Sequence, residues 1–294
     1  MGFRTDLAME AVELVKGHDI GIKQEKEIIE DLEVTKITIE TDEAAKKLGK
    51  LKGKYITISF PPLTDNYENI EDKIKVISKQ IRYLLPREGL AFVVGLGNET
   101  ITPDALGPKT IKSVLATRHI TGEIARSTGL EGLRPVAKIA PGVLGQTGME
   151  VSEVIEGIMK KIDPSVIIII DALASKESKR LGTTIQISNT GISPGSGIGN
   201  ARPGINEETM GIPVISLGVP TVVDAQTMAY DILKTINNSN QPVIKEKTAP
   251  RGEPMMVTPR EIDLLISRAS QIIAMSINGA LQPGFSLEDI MALV

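Results

Sequence analysis

The sequence predicts an α/β protein with a mostly parallel sheet flanked by helices. Short runs rich in β-branched residues stop at Gly, Pro or Asp, as strands do. Helical patterns separate many of these runs, and strands that alternate with helices form parallel sheets. The run 166–170 is apolar at every position, which is typical of a central strand covered on both faces. The predicted strands are residues 54–60, 90–94, 136–140, 166–170, 183–187 and 213–217.

The clearest helical pattern precedes Pro86 and has apolar residues at alternating steps of four and three. These residues are Ile70, Ile74, Ile77, Ile81 and Leu84. Further helices are predicted over residues 104–118, 151–161, 224–236 and 259–281, and Thr258 is a suitable N-cap for the last of them.

We expect one domain, residues 1–294, because α/β folds often reach this length as a single unit. Thr and Ile alternate within 34–40, so the segment 22–52 is expected to form an antiparallel strand or hairpin beside 54–60, at an edge of the sheet. The stretch 237–254 is polar and rich in Pro and Asn, which predicts a surface loop before a C-terminal helix at 258–281.

Composition excludes several classes of chemistry. The chain has no cysteine and only two histidines, His18 and His119, which excludes disulfides and thiol nucleophiles and argues against a catalytic triad or a histidine metal centre. We therefore expect carboxylates to carry any acid–base work, without a cofactor or a metal. A net charge of -4 with interspersed signs predicts no direct nucleic-acid partner.

The N-terminal residues are charged and lack the apolar core of a secretory signal. The longest apolar run, 166–170, is far shorter than the roughly 20 residues that span a bilayer. We expect a cytoplasmic protein with no membrane partner.

Two aspartates follow predicted strands, where ligands of open α/β sheets bind. Asp104 comes after a Gly-Asn turn that follows the strand 90–94, and Asp171 comes directly after the strand 166–170. Each has a structural alternative, because Asp also caps helix N-termini. Asp171 additionally ends an apolar strand, where a buried carboxylate must find a partner or shift its pKa.

If the two carboxylates converge, repulsion and desolvation would raise the pKa of one of them. One group would then be protonated and the other ionised, as peptide hydrolysis requires. The ionised group would take a proton from the attacking water, and the neutral group would donate one to the oxyanion or the leaving amine. The spacing leaves the two roles unassigned.

The segment Gly191 to Asn200 is rich in glycine, which favours close backbone approach to a ligand. Its glycines Gly195, Gly197 and Gly199 do not match GxGxxG, so an ordinary mobile loop, or a loop that lines a groove for an extended peptide, is favoured over a dinucleotide site.

Other polar residues are better explained by structure. The string ALGPKT ends like a P-loop, but Pro108 splits its Gly-Lys step and no strand directly precedes it, so we reject a nucleotide site. His119 is interpreted as a helix-end cation, His18 as exposed and Asp224 as a helix cap.

Longer strings are more specific. RTDLAMEA, TPDALGP, IAPGVLGQTG, IDALAS, TIQISNTGISPGSGIGN, GIPVISLGVPTVVDA and MVTPREID resemble blocks of the germination protease family, over nearly the whole chain. The resemblance implies an endopeptidase that initiates degradation of small acid-soluble spore proteins during germination, made as a zymogen and assembled as a homotetramer in the spore core. It also implies a fold similar to that of hydrogenase maturation proteases.

The family's proposed catalytic aspartates lie in the blocks matched here by TPDALGP and IDALAS, which implies Asp104 and Asp171. Its autoprocessing site matches RTDLAMEA, which implies cleavage between Asp6 and Leu7 after a pro-segment, 1–6, shorter than the family leads us to expect. Asn98 and the glycines of the Gly-rich segment are the candidate substrate-binding residues. Two alternatives stay open: a metal-dependent hydrolase using the same carboxylates, and a non-catalytic peptide-binding module.

Overall fold

The computed structural model describes residues 5–15, 21–65, 69–195, 202–235, 248–249 and 255–293. All the strands in these ranges belong to one sheet. They are β1 (Ile22–Ile29), β2 (Leu32–Ile39), β3 (Gly53–Ser59), β4 (Ala91–Gly95), β5 (Val136–Ile139), β6 (Val166–Ser175), β7 (Thr184–Ser188), β8 (Val214–Asp224) and β9 (Met256–Val257). The order is β1-β2-β3-β7-β8-β6-β4-β5, and β9 pairs with β8.

The sheet is mixed, and the predicted α/β class is confirmed. Parallel pairing is confined to β8, β6, β4 and β5, whereas β1, β2, β3, β7 and β8 pair antiparallel. The sheet is thus less parallel than predicted. The strand β7 runs opposite to β6 because only the short segment 176–183 joins them, and a parallel return needs a crossover of about a dozen residues or more.

The predicted edge hairpin is confirmed. β1 is the outermost strand and pairs only with β2, which in turn pairs with β3. The two residues of the connecting turn, Glu30 and Asp31, both have positive φ, as the tight turns of twisted hairpins require. Charged, exposed side chains along β1 protect this edge from pairing with other chains.

The α-helices lie on both faces of the sheet and at its ends. They are α1 (Ala8–Leu14), α2 (Asp42–Leu48), α3 (Ile70–Leu84), α4 (Leu106–Ser113), α5 (Gly122–Thr128), α6 (Leu144–Thr147), α7 (Val151–Ile162), α8 (Glu207–Met210), α9 (Ala225–Thr235), α10 (Ile262–Leu281) and α11 (Leu287–Leu293). The predictions for α3, α7 and α9 agree with the observed helices to within one residue.

Two predicted helix ends are wrong. Helix α4 ends at Ser113 instead of residue 118, because Asn278 of α10 donates to the Ser113 carbonyl and accepts from the Leu115 N–H, which closes the helix. Helix α10 begins at Ile262, and Thr258 does not cap it. The Thr258 hydroxyl donates instead to the carbonyl of Thr221 on β8. The predicted loop 237–254 lies outside the described residues except for 248–249.

Both faces of the central sheet are buried, as the apolar run predicted. Ile168 and Ile170 pack into the cluster formed with α3, α4 and α10, whereas Ile167 and Ile169 pack on the opposite face with Ile155 of α7. A third cluster joins α1 and α2 to β2 and β3.

Among the described helices, one (α10) is long and apolar enough to cross a membrane, but 67% of its most apolar stretch is buried inside the protein, as in a core helix.

Candidate active site

The loop after β4 places Asp104 next to β6. The Leu96 N–H donates to the Ile170 carbonyl, so the chain stays beside β6 after β4 ends. Gly97 has φ +114°, and a Cβ there would lie 1.9 Å from the Asp104 carbonyl oxygen, so only glycine permits this approach. The Asn98 N–H donates to Asp104 Oδ2 at 2.7 Å. The carboxylate is thus held toward β6 and does not cap α4, so the capping interpretation is wrong.

Asp171 lies inside β6, and the strand continues to Ser175. The interpretation of Asp171 as a helix cap is therefore also wrong. Its residue is 7% exposed, and its Oδ1 accepts from the Ala172 N–H at 2.9 Å. Asp171 pairs with Gly218 of β8, and Gly218 pairs with Gln186 of β7. Because directly paired residues point to one face of the sheet, the side chains of Asp171 and Gln186 lie in one row, on either side of Gly218.

The two carboxyl groups have different electrostatic environments. Burial raises the pKa of Asp171 well above its ordinary value, and the charges of Asp104 and Asp6 raise it further. Burial also raises the pKa of Asp104, and the hydrogen bond from the Asn98 N–H opposes this rise. Asp104 and Asp171 therefore interact, and the ionised form is the more disfavoured at Asp171.

Both aspartates line a cavity of about 650 Å³. Asn98 and Gly195 also line it, and the Asn98 side-chain oxygen accepts from Gln146 Nε2 at 2.8 Å. Asp6, the residue before the predicted cleavage site, lines the cavity too, so the structure brings five of the predicted site residues together. Gly197 and Gly199 lie outside the described residues.

Residues Thr5 to Glu10, here called the N-terminal arm, reach this cavity, and Asp6 lines it. β6 extends past the end of β4, and Ala174 on this extension pairs with Asp6. The Ala174 carbonyl accepts from the Asp6 N–H at 2.9 Å, and the Ala174 N–H donates to Asp6 Oδ2 at 2.8 Å. Leu7 is 0% exposed. The arm is therefore hydrogen-bonded to the edge of β6 beyond the end of β4.

Two side chains that the sequence analysis missed donate to the Asp6 carbonyl oxygen. Lys50 Nζ lies 2.9 Å away and Gln186 Nε2 lies 3.1 Å away. Lys50 is positioned by the end of α2, where Gly49 is left-handed and the Lys50 N–H returns to the Ala45 carbonyl. The signal for Gln186 is a polar amide within the buried run of β7.

Glu10 anchors the other end of the arm. It is 1% exposed, and it accepts from the N–H groups of Lys176 and Glu177 at 2.7 and 2.9 Å. The Nε of Arg180 lies 3.5 Å from its Oε1, and the Thr5 hydroxyl also donates to it. A buried carboxylate with these partners holds the arm in place.

The remaining candidates are structural. Asp224 accepts from the Thr227 N–H at 2.9 Å, which confirms it as the cap of α9. His119 is exposed in a turn well beyond α4, so the helix-end interpretation is wrong. His18 lies outside the described residues. In the part of the chain that the structure describes, no three His, Asp or Glu side chains form a group suited to a metal ion.

The fold and the cavity define an α/β protein in which two interacting carboxyl groups and Asp6 of the N-terminal arm line one cavity, an arrangement suited to peptide hydrolysis. A family model described as "Germination protease" matches residues 6–239, and the chain belongs to the germination protease family. It is therefore a peptidase, and the family acts in spore germination.

Similar proteins agree with this assignment. The chain is 45% identical to a germination protease of Clostridium perfringens (strain ATCC 13124), with 98% of this chain and 97% of that protein covered. It is 41% identical to a germination protease of Caldanaerobacter subterraneus subsp. tengcongensis, with 100% and 98% covered.

Among solved structures, the [NiFe] hydrogenase maturation protease HycI from Thermococcus kodakarensis KOD1 matches with a TM-score of 0.37 and 14% identity, covering 67% of this chain and 98% of that one.

Proposed function

We propose that this chain is an endopeptidase that cleaves its own bond between Asp6 and Leu7 and then cleaves small acid-soluble spore proteins, with Asp104 and Asp171 as the acid–base pair. One observation carries this proposal: Asp6, the residue before the bond, lines the same cavity as both carboxyl groups. The arm also has the expected chemistry, with an acidic residue before the bond and apolar residues after it.

In this proposal the two aspartates have different roles. Asp171 keeps its proton because burial and the charges of Asp104 and Asp6 raise its pKa. Asp104, which is less buried, is the base that takes a proton from water as the water oxygen bonds to the Asp6 carbonyl carbon. Asp171 then donates its proton to the Leu7 nitrogen, and the bond between that carbon and nitrogen breaks. The proton that Asp104 took from water then moves to Asp171, which restores the starting state. Because the two groups share this proton, they titrate as a pair.

Substitution of each aspartate tests the proposal. Asp104→Asn and Asp171→Asn are expected to abolish release of the N-terminal fragment and cleavage of a purified small acid-soluble spore protein, with fragments mapped by mass spectrometry. Asp163→Asn is the matched control, because Asp163 is an exposed, left-handed helix C-cap that Asn tolerates. A folded Asp104→Asn or Asp171→Asn protein that cleaves at the control rate would contradict the assignment. Cleavage lost on chelation and restored by a divalent ion would favour the metal-dependent alternative.

The substrate, a homotetrameric assembly and a location in the cytoplasm of the spore are proposed from the family resemblance. Light scattering on the purified protein tests the assembly, and a mass of one or two chains would contradict it. Fractionation of spores tests the location.

A further inference from the structure

The scissile carbonyl of the proposed reaction already has two donors. Lys50 Nζ and Gln186 Nε2 lie 2.9 and 3.1 Å from the Asp6 carbonyl oxygen. Lys50 comes from the segment after α2 and Gln186 from β7, so two distant parts of the chain converge on one atom. Neither is needed for the backbone pairing between Asp6 and Ala174, which the two backbones and the Asp6 carboxylate make by themselves.

We propose that Lys50 and Gln186 are further catalytic residues, which stabilise the oxyanion that forms on the carbonyl oxygen of the residue before the cut. This inference rests on the proposed cleavage between Asp6 and Leu7. When water adds to the carbonyl carbon, the carbonyl electron pair moves to the oxygen, and that oxygen gains a negative charge. Donors already directed at this atom stabilise the transition state more than the ground state.

Lys50 supplies the charge. Its ammonium also donates to the Thr5 carbonyl at 3.0 Å, so both of these acceptors are neutral in the resting protein. Burial lowers the pKa of Lys50, and the charges of Asp6 and Glu10 oppose this change. At its two direct hydrogen bonds this desolvated cation meets neutral carbonyls, which return only part of its hydration energy. It recovers more when the Asp6 oxygen becomes an anion, and this difference lowers the barrier.

Gln186 fixes the position of the bound peptide. Its Nε2 donates to the Asp6 carbonyl, and its Oε1 accepts from the Ala8 N–H at 2.7 Å. One amide therefore contacts the backbone on both sides of Leu7, whatever side chains the peptide carries. Gln186 and Asp171 lie in the same row of the sheet, on either side of Gly218. Gln186 thus fixes the register of the bound peptide on the face of the sheet to which Asp171 also points.

The experiment measures release of the N-terminal fragment from the full chain by intact-mass spectrometry. Because this cleavage is intramolecular, its rate reports chemistry on a peptide that is already bound. Lys50→Met is expected to slow it by about 10²–10³-fold, the loss found when one oxyanion donor is removed. Gln186→Met, which loses an uncharged donor, is expected to slow it by about 10-fold. Lys52→Met is the matched control, because Lys52 is an exposed neighbour paired with Asp42.

Hydrogen exchange of the arm separates catalysis from docking. Lys50→Met is expected to keep wild-type protection of the Asp6 N–H, because the bonds to Ala174 and the Glu10 anchor are intact. Cleavage by Lys50→Met at the Lys52→Met rate, or loss of cleavage together with loss of protection, would overturn the inference. If Lys50→Met does not fold, Gln186→Met decides by the same two measurements. A wild-type protein that never cuts between Asp6 and Leu7 would instead refute the proposed function itself.

Discussion

Removal of the Glu10 carboxylate is expected to undock the N-terminal arm. In Glu10→Ala, the N–H groups of Lys176 and Glu177 lose the acceptor that they now reach at 2.7 and 2.9 Å. Each buried donor left without a partner costs about 1–3 kcal/mol. Arg180 keeps Glu13 at 3.1 Å, so its charge stays paired and adds little to the loss. We therefore expect docking to weaken by about 3 kcal/mol, or about a hundredfold in the equilibrium.

Hydrogen exchange measures this change directly. The Asp6 and Ala8 N–H groups are bonded to Ala174 and Gln186 in the docked arm, so they exchange only when the arm opens. Both are expected to exchange about a hundredfold faster in Glu10→Ala. Fragment release should slow as well, because less of the protein holds the bond in the cavity.

The matched control is Glu13→Ala. Glu13 bonds the same Arg180, but its side chain is half exposed, and such pairs contribute about 1 kcal/mol or less. In Glu13→Ala, the N–H groups of the N-terminal arm should therefore exchange at nearly the wild-type rate. Equal protection in Glu10→Ala and Glu13→Ala would refute the reasoning, because the buried carboxylate would then contribute no more than the exposed one.

Three further predictions concern stability. Asp171→Asn should raise Tm at neutral pH, because the buried carboxyl group has a raised pKa in the folded protein. Such a group stabilises the fold fully below its unfolded pKa and loses this contribution as the pH rises, so the gain in Tm should vanish in acid. A gain in Tm that grows in acid would contradict the prediction. Gly97→Ala should lower the unfolding free energy by at least about 3 kcal/mol in denaturant titrations, because the new Cβ would clash with Asp104. The control Gly211→Ala should lower it by about 1 kcal/mol, because Gly211 has a positive φ but open space around it, and equal losses would contradict the clash. Asn278→Ala should cost about 2–4 kcal/mol by the same titration, because it leaves buried groups at the end of α4 unpaired, and a loss below about 1 kcal/mol would contradict that role.

Local patterns predicted most of the elements but not how they end or pair. The spacing of Ile70, Ile74 and Ile77 predicted α3 because helix periodicity depends only on neighbours along the chain. The end of α4 depends on Asn278, which lies 165 positions from Ser113, and no local pattern contains such a contact. The direction of β7 likewise depends on which strand it joins.

By itself, the sequence determined the α/β class and the central strand β6, because β-branched runs and helix periodicity are written along the chain, and it predicted Asp104 and Asp171 as site residues. Only the tertiary structure decided that Asp171 lies within a strand, that Asp6 lines the same cavity as Asp104 and Asp171, and that Lys50 and Gln186 meet on one carbonyl. The hydrogen bonds from Lys50 and Gln186 to the Asp6 carbonyl join residues 44 and 180 positions apart. Strand pairing and burial bring such segments together, and neither is visible in the local pattern of residues.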